Sequence, residues 1–540
     1  MTSWIATSTG AVCLAAAAVV VVQSDMSSAS FFVASAACTA FLAVATALLG
    51  RAGRAAFRRL VAYHGWLCRK HGEGSLKDMM WALALGGLGR LLPWQTYQAL
   101  LPPVPLVDLD FAVDAFLDTM AGIVEPDVLA ELVAAAEEFK CGVGPELHAE
   151  LERRVADDPL YLSRPEQGAL RHRTSLLTMN YYGYLEHCFP KTTACRRTAL
   201  TIGLLMALQD AIETGRLGPI MVGPVPLCNE QHERMFGTAR IPKPDIDELR
   251  HVPRSPNVIV VVAGVAFEVA VLSRDGRRPS VDDLEALLVE LRERAAASTT
   301  PPTYAAVASL TALPRREWAA AREDLCSDPH NASVLSAIES AAFVVVITDD
   351  APANVSERSH VALAGSSSAP LWFDKSLEMI AFGDGATVYN CEHACSDGLV
   401  LADFQELLAV AEFGAPSFLR DALEASGGFA PTARMLDFCV SDGQWKRTLG
   451  KAEDALAALR TDLDIRHMSF TDFGSDTIKA LGGSTDSLIQ VAIQLAYLRD
   501  SMGWTGFTVE AVTKRFFRGG RVGSVYSVTR AMTDLVHATH

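Results

Sequence analysis

The chain has 540 residues, 50% hydrophobic and 20% charged, with a formal net charge of -16. That length and apolar content suffice for a large core and more than one domain. An acidic chain without basic clusters lacks the electrostatic footprint of a nucleic-acid binder, although a local basic pocket for an anionic ligand can still sit within it.

Residues 1–50 contain no Lys, Arg or Glu and one acid, Asp25. Two apolar runs flank it, Trp4 to Val22 and Phe31 to Leu49. Each is about 19 residues, close to the ~20 that cross a hydrocarbon core as helix. The reading is a transmembrane hairpin, with residues 1–52 as a membrane anchor. A cleaved signal peptide would need a charged leading region, which is missing. Arg51, Arg54, Arg58 and Arg59 follow at once. Positive residues stay inside, so the N-terminus and the body after residue 52 are both expected in the cytosol.

Residues 60–105 read as helical and then irregular, with Leu101 to Pro105 fixed extended by its prolines. Helical periodicity over 107–155 puts Leu129, Leu132 and Val133 on one face. The pattern returns over 197–215. The β-branched run Asn257 to Val262 reads as a buried strand, and Ala266 to Leu272 as its partner before a turn at Asp275-Gly276. Ser280 caps a helix over 280–297, with Asp283 three positions on. Phe343 to Thr348 is another buried strand, and 350–370, rich in Ser, Ala and Pro, a surface loop. Met379 to Phe382 and Thr387 to Tyr389 bracket Gly383-Asp384-Gly385 as a hairpin. Helices follow over 398–412 and 484–500. Strands and helices mix without a strict βαβ repeat, and there is no GxGxxG. A two-domain α/β fold is expected rather than a Rossmann one.

The 11 cysteines are scattered and show no CxxC spacing. They suggest a reducing compartment rather than a disulfide scaffold. A zinc site would require paired Cys/His spacing, so no metal is expected.

The predicted hairpin leads into Glu392-His393-Ala394-Cys395-Ser396-Asp397-Gly398. Imidazole is the side chain best suited to take a proton at neutral pH. A carboxylate four residues on can orient it or fix the backbone, and a glycine allows close approach of a substrate. HxxxDG alone is a weak pattern, and its surroundings give it meaning. Trp372-Phe373-Asp374-Lys375-Ser376-Leu377 followed by Glu392 to Gly398 resembles the active-site signature of the carnitine/choline acyltransferase family. Further stretches agree in the same order. They are Asn180 to Tyr182, Pro226 to Cys228, Arg234 to Phe236, Thr238 to Pro242, Asp324 to Asn331, Ile338 to Ala341, Phe473 to Asp486, and Phe517 to Arg521. Tyr63-His64-Gly65-Trp66-Leu67 behind two apolar runs is similar to the outer-mitochondrial-membrane carnitine palmitoyltransferases, which carry a two-helix anchor and face the cytosol.

The resemblance implies a two-domain CoA-dependent acyltransferase fold of mixed sheets and helices over 60–540. The catalytic domain would occupy about 140–435, and a truncated second domain about 60–140 plus 436–540. It implies a tunnel with His393 midway, CoA entering from one side and the acyl acceptor from the other. His393 would act as general base, with Asp397 holding the local architecture and Arg521 pairing with it. Lys479 would meet the CoA 3′-phosphate and Asp486 the CoA side. The substrates implied are long-chain acyl-CoA and carnitine, with CoA as co-substrate and no permanently bound cofactor.

The acceptor half departs from the family pattern. Val509 stands where relatives have a carnitine-contacting Tyr, Val522 where they have a Thr, Ser475 where they have a first phosphate lysine, and Tyr526 where they have an Arg. The chain stops at His540, before the family's Ser-Thr-Ser segment. Three accounts are open: a shortened chain, a different acceptor, or a catalytically impaired relative that only binds acyl-CoA.

Overall fold

The computed structural model describes residues 101–164, 168–184, 192–218, 220–222, 225–299, 302–412, 427–441, 443–501 and 506–539, with Leu76 and Gln98. The chain divides into two compact units, Met1–Leu88 and Gly89–His540. Only Leu76 of the first is among the described residues. The expected anchor over 1–52 and the Tyr63 to Leu67 segment lie outside them. Among the described residues no helix is long and apolar enough to cross a membrane.

In chain order the strands are β1 (Tyr181–Tyr184), β2 (Met221–Val222), β3 (Val225–Pro226), β4 (Thr238–Ile241), β5 (Glu248–His251), β6 (Asn257–Val262), β7 (Val265–Ala270), β8 (Val344–Ile347), β9 (Glu378–Ala381), β10 (Thr387–Cys391), β11 (Thr432–Leu436), β12 (Val509–Thr513) and β13 (Val522–Tyr526). Seven form one sheet in the order β1-β10-β9-β8-β6-β7-β11. The sheet is mixed: β6, β8 and β9 are parallel neighbours, and the outer pairs are antiparallel. β2–β3, β4–β5 and β12–β13 are separate two-stranded ladders.

The β-branched runs explain the centre of this sheet. Side chains alternate between its faces, so a strand covered on both sides must be apolar throughout. In β6, Val258 and Val260 join one core cluster while Ile259 and Val261 join the other. In β8, Val345 and Ile347 face the first cluster and Val344 and Val346 the second. Helices Ala194–Glu213, Val281–Ala296 and Gly398–Glu412 contribute to the first cluster. Helices Tyr304–Ser309, Arg315–Cys326, Pro329–Ser340 and Gly443–Asp462 contribute to the second. Burying each Val or Leu stabilises by roughly 1.5–3 kcal/mol.

The helix Val281–Ala296 starts as its sequence predicts, with a reciprocal Ser280–Asp283 capping box. Three expectations need correction. The predicted loop over 350–370 contains the helix Val355–Ala364, whose N-cap Asn354 accepts from the Glu357 backbone N–H. Its Ser/Ala-rich composition hid a helix that packs only a narrow face. The single helical stretch over 107–155 is three helices, Leu109–Ala121, Pro126–Cys141 and Gly144–Asp157, broken at glycines and restarted at prolines. Within the second, Val133 is exposed while Ala136 is buried. The partner strand of β6 spans Val265–Ala270 rather than 266–272.

Candidate active site

The HxxxDG segment lies between two secured ends. Upstream, β10 pairs with β1, with Cys391 opposite Tyr181. Downstream, the helix Gly398–Glu412 begins, with the Val400 N–H donating to the Asp397 carbonyl at 2.9 Å. The Glu392 carboxylate accepts from the Cys395 N–H at 3.0 Å and from Arg240 Nη1 at 2.9 Å, which closes the turn. Gly398 is not required by crowding: an added Cβ would meet only Tyr181 Cδ2, at 3.9 Å.

Asp397 gathers the site. Its Oδ1 accepts from Arg521 Nε at 3.1 Å, and its Oδ2 from the Val522 N–H at 2.8 Å and Gln231 Nε2 at 3.0 Å. Its own N–H donates to Gln231 Oε1 at 2.8 Å. Arg521 Nη1 donates to the Ala394 carbonyl at 2.7 Å, and Nη2 to that of His393. The guanidinium therefore clamps the loop backbone while the carboxylate fixes the guanidinium. Such a fork needs Arg, because an ammonium cannot hold three fixed directions.

The His393 ring meets Tyr181 edge to face, with centroids 5.4 Å apart. Neither ring nitrogen has a hydrogen-bond partner among the described residues. Burial lowers the imidazole pKa below its ordinary value, and the Arg521 charge lowers it further, against opposing pulls from Asp397 and Glu392. The ring is therefore neutral at pH 7 and has a lone pair available. Tyr181 Oη lies 2.7 Å from Ser396 Oγ, whose hydroxyl contacts Met235 Sδ at 2.7 Å.

The predicted site residues separate into two groups. His393, Asp397 and Arg521 come together. Lys479, on the helix Ser475–Ala480, and Asp486, in the first turn of Thr485–Asp500, are exposed. Their side chains make no hydrogen bond or ion pair among the described residues. The Trp372 to Ser376 motif is a buried brace. Asp374 accepts from Arg315 Nη1 at 2.7 Å and Trp318 Nε1 at 2.5 Å, while Lys375 Nζ donates to the carbonyls of Glu339 and Ala341. Burial moves the Lys375 pKa down to about 7 and the Asp374 pKa up to about 6.

Sequence reasoning missed Gln231, which also donates to the Gly520 carbonyl at 3.0 Å. It missed Arg515 as well. That side chain donates to the Cys228 carbonyl at 2.9 Å, Asp403 at 2.7 Å and Asn229 Oδ1 at 3.1 Å. Buried His232 approaches the same Asp403 at 3.2 Å. Arg515 and Arg521 thus fasten the β12–β13 connection to the sheet unit at two points. An amide in the charged run Glu230-Gln231-His232-Glu233-Arg234 carries no sequence signal for such a role.

The Choline/Carnitine o-acyltransferase family model matches residues 104–540. The chain therefore belongs to the choline/carnitine O-acyltransferase family. It is 29% identical over 504 residues to the muscle isoform of carnitine O-palmitoyltransferase 1 from Bos taurus, covering 90% of this chain and 64% of the relative. Against the liver isoform from Homo sapiens it is 28% identical over 501 residues, with the same coverage. Carnitine O-acetyltransferase from Homo sapiens is 28% identical over 473 residues, covering 82% of this chain and 72% of the relative. The chain thus spans about two thirds of the length of the curated relatives it matches.

Proposed function

We propose that the protein is a CoA-dependent carnitine O-acyltransferase that moves a long-chain acyl group between CoA and carnitine, with His393 as general base. The observation that carries this reading is the His393 ring itself. It is neutral, its nitrogens are without partners among the described residues, and its backbone is held by the Asp397–Arg521 clamp. His393 takes the proton of the acceptor hydroxyl, and the alkoxide attacks the thioester carbonyl. Collapse of the tetrahedral intermediate breaks the C–S bond, and the imidazolium returns the proton to the CoA sulfur. Proton transfer by a placed base contributes roughly 10²–10⁴-fold. Asp397 and Arg521 position the base. Lys479 meets the 3′-phosphate of CoA as an exposed point charge, with Asp486 beside the same ligand.

In this reading the catalytic domain spans about 140–435 and a second domain combines about 60–140 with 436–540. The two N-terminal apolar runs anchor the protein in the mitochondrial outer membrane with the catalytic region facing the cytosol. The proposal is tested with the full chain, palmitoyl-CoA and labelled carnitine. Acyl exchange that disappears in His393→Ala is expected, and no transfer to any hydroxyl acceptor defeats the assignment.

A second reading is an acyl-CoA-binding relative without turnover. It is favoured by Val509 and Val522, apolar side chains on the β12–β13 ladder at positions where the family resemblance implies hydroxyl-bearing residues. Calorimetric acyl-CoA binding without exchange would select it.

A further inference from the structure

A cavity of about 220 Å³ opens beside the clamp, and His393 is not among its lining residues. Three guanidinium-bearing residues line it, Arg164, Arg234 and Arg521, against one carboxylate, Glu230. Glu230 lies 3.7 Å from Arg518, Arg164 is paired with Asp158, and Arg521 with Asp397, so the lining charge left over is that of Arg234. Arg234 makes no hydrogen bond or ion pair among the described residues. Ser163 also lines the cavity and is 8% exposed, and its buried Oγ has no hydrogen-bond partner among the described residues. An unpaired buried hydroxyl is costly and calls for a partner. Gly519, with φ +62°, keeps the space open: an added Cβ would sit 3.4 Å from Ser163 Cβ and 3.8 Å from Glu230 Oε2.

We propose that this cavity is a binding site for a small oxyanion, a phosphate or carboxylate group. The cavity has room for several waters and so admits such a group. Planar guanidinium forks match both anions in pairs. Arg234 supplies the main charge, Arg164 flanks it, and Ser163 Oγ donates. Arg521 borders the cavity while holding Asp397, so a bound anion draws on the same guanidinium that clamps the His393 loop. The binding inference stands apart from the acyl-transfer reading. Only that last coupling rests on it.

The test is thermal unfolding and calorimetry of the full chain titrated with sodium phosphate or sodium acetate, against sodium chloride at matched ionic strength. The expected result is a saturable rise in Tm with at least one oxyanion and none with chloride. The stronger ligand of the two arms identifies the source chemistry. Arg234→Gln should abolish the rise, Arg234→Lys should retain part of it, and Ser163→Ala should weaken it several-fold. No oxyanion-specific rise, or a rise that survives intact in Arg234→Gln, overturns the proposal. Because the readout is binding, a chain that binds phosphate without transferring acyl groups would refute the proposed function and leave this site standing.

Discussion

Arg521 and Asp397 are 124 positions apart in sequence, yet Arg521 Nε reaches Asp397 Oδ1 at 3.1 Å while the two Nη groups take the carbonyls of Ala394 and His393. One side chain therefore sets where the imidazole stands. Both partners are largely buried, with side-chain exposures of 13% and 8%. Removing one member of such a pair leaves an uncompensated buried charge, at a cost of about 3–5 kcal/mol. Arg521→Lys keeps the charge and loses the fork. It should lower kcat by roughly a hundredfold, as a misplaced catalytic group does, with a smaller loss of Tm than Arg521→Ala. Steady-state kinetics and thermal unfolding of both variants check this.

The pH profile should follow the charges around His393. Its folded pKa is lowered, so the neutral, proton-accepting form is present above that value and is lost as pH falls through it. The acid limb of kcat/KM should therefore lie below pH ~6.5, the ordinary imidazole value. Arg521→Leu removes a neighbour that lowers this pKa, and its limb should move up. Asp397→Asn removes a carboxylate that raises it, and its limb should move down. Rate profiles of the three proteins between pH 5 and 9 decide, and limbs that fail to move in opposite directions contradict the proposed base.

Gln231 closes the ring around Asp397 with one amide used at both ends. Gln231→Glu keeps the acceptor for the Asp397 N–H but places a second carboxylate against Asp397 Oδ2. The charges facing that position are Asp397, Arg521, Glu230, Arg234 and Arg164. Two carboxylates this close share a proton when pH falls. Turnover should drop about tenfold or more at pH 8 and partly recover near pH 6 relative to wild type. A uniform loss at every pH would make Gln231 a packing residue only.

Gly520 shows where space dictates the residue. A Cβ there would lie 1.8 Å from the Lys514 carbonyl oxygen, far inside contact distance. Gly520→Ala must push the chain away between the two fastening arginines. It should cost about 1–3 kcal/mol as an overpacked site and lower kcat together with Tm. Hydrogen exchange at the Val522 amide, bonded to Asp397 at 2.8 Å, should accelerate.

The proposed contact of Lys479 with the CoA 3′-phosphate should separate binding from chemistry. The side chain is exposed and far in sequence from the clamp, so Lys479→Ala should raise KM for acyl-CoA roughly five- to tenfold with kcat little changed, about 1 kcal/mol of binding. Dephospho-CoA esters, which lack the 3′-phosphate, should show no difference between wild type and variant. An equal KM increase with both esters would remove Lys479 from the phosphate site.

Much of the central sheet was legible because its strands are covered on both faces, and only a continuous β-branched run such as Asn257 to Val262 serves there. The hairpin before His393 announced itself through Gly383-Asp384-Gly385, where Gly385 takes the positive φ that a tight turn needs. The helix Val355–Ala364 was not legible, because Ser and Ala fit a shallow packing face and a loop equally well. Val133 fell on the wrong side because the helix Pro126–Cys141 buries Ala136, and an apolar pattern of Leu and Val does not reveal that a small alanine marks the packed face. Of the site, His393 and Asp397 stood out only through the motifs around them, because HxxxDG spacing alone is a weak pattern. Gln231 and Arg515 did not, since their partners lie 166 and 287 positions away and nothing local distinguishes a buried bridging amide from a solvated one.

The most direct measurement is single-turnover exchange of palmitoyl-CoA with carnitine by the full chain and by His393→Ala at pH 7.5, with acyl-CoA binding measured on both by calorimetry. The account expects transfer in the wild type, its loss by at least about 10²-fold in the variant, and unchanged acyl-CoA affinity in both. Equal transfer by the two proteins, or none by the wild type despite tight acyl-CoA binding, would contradict it.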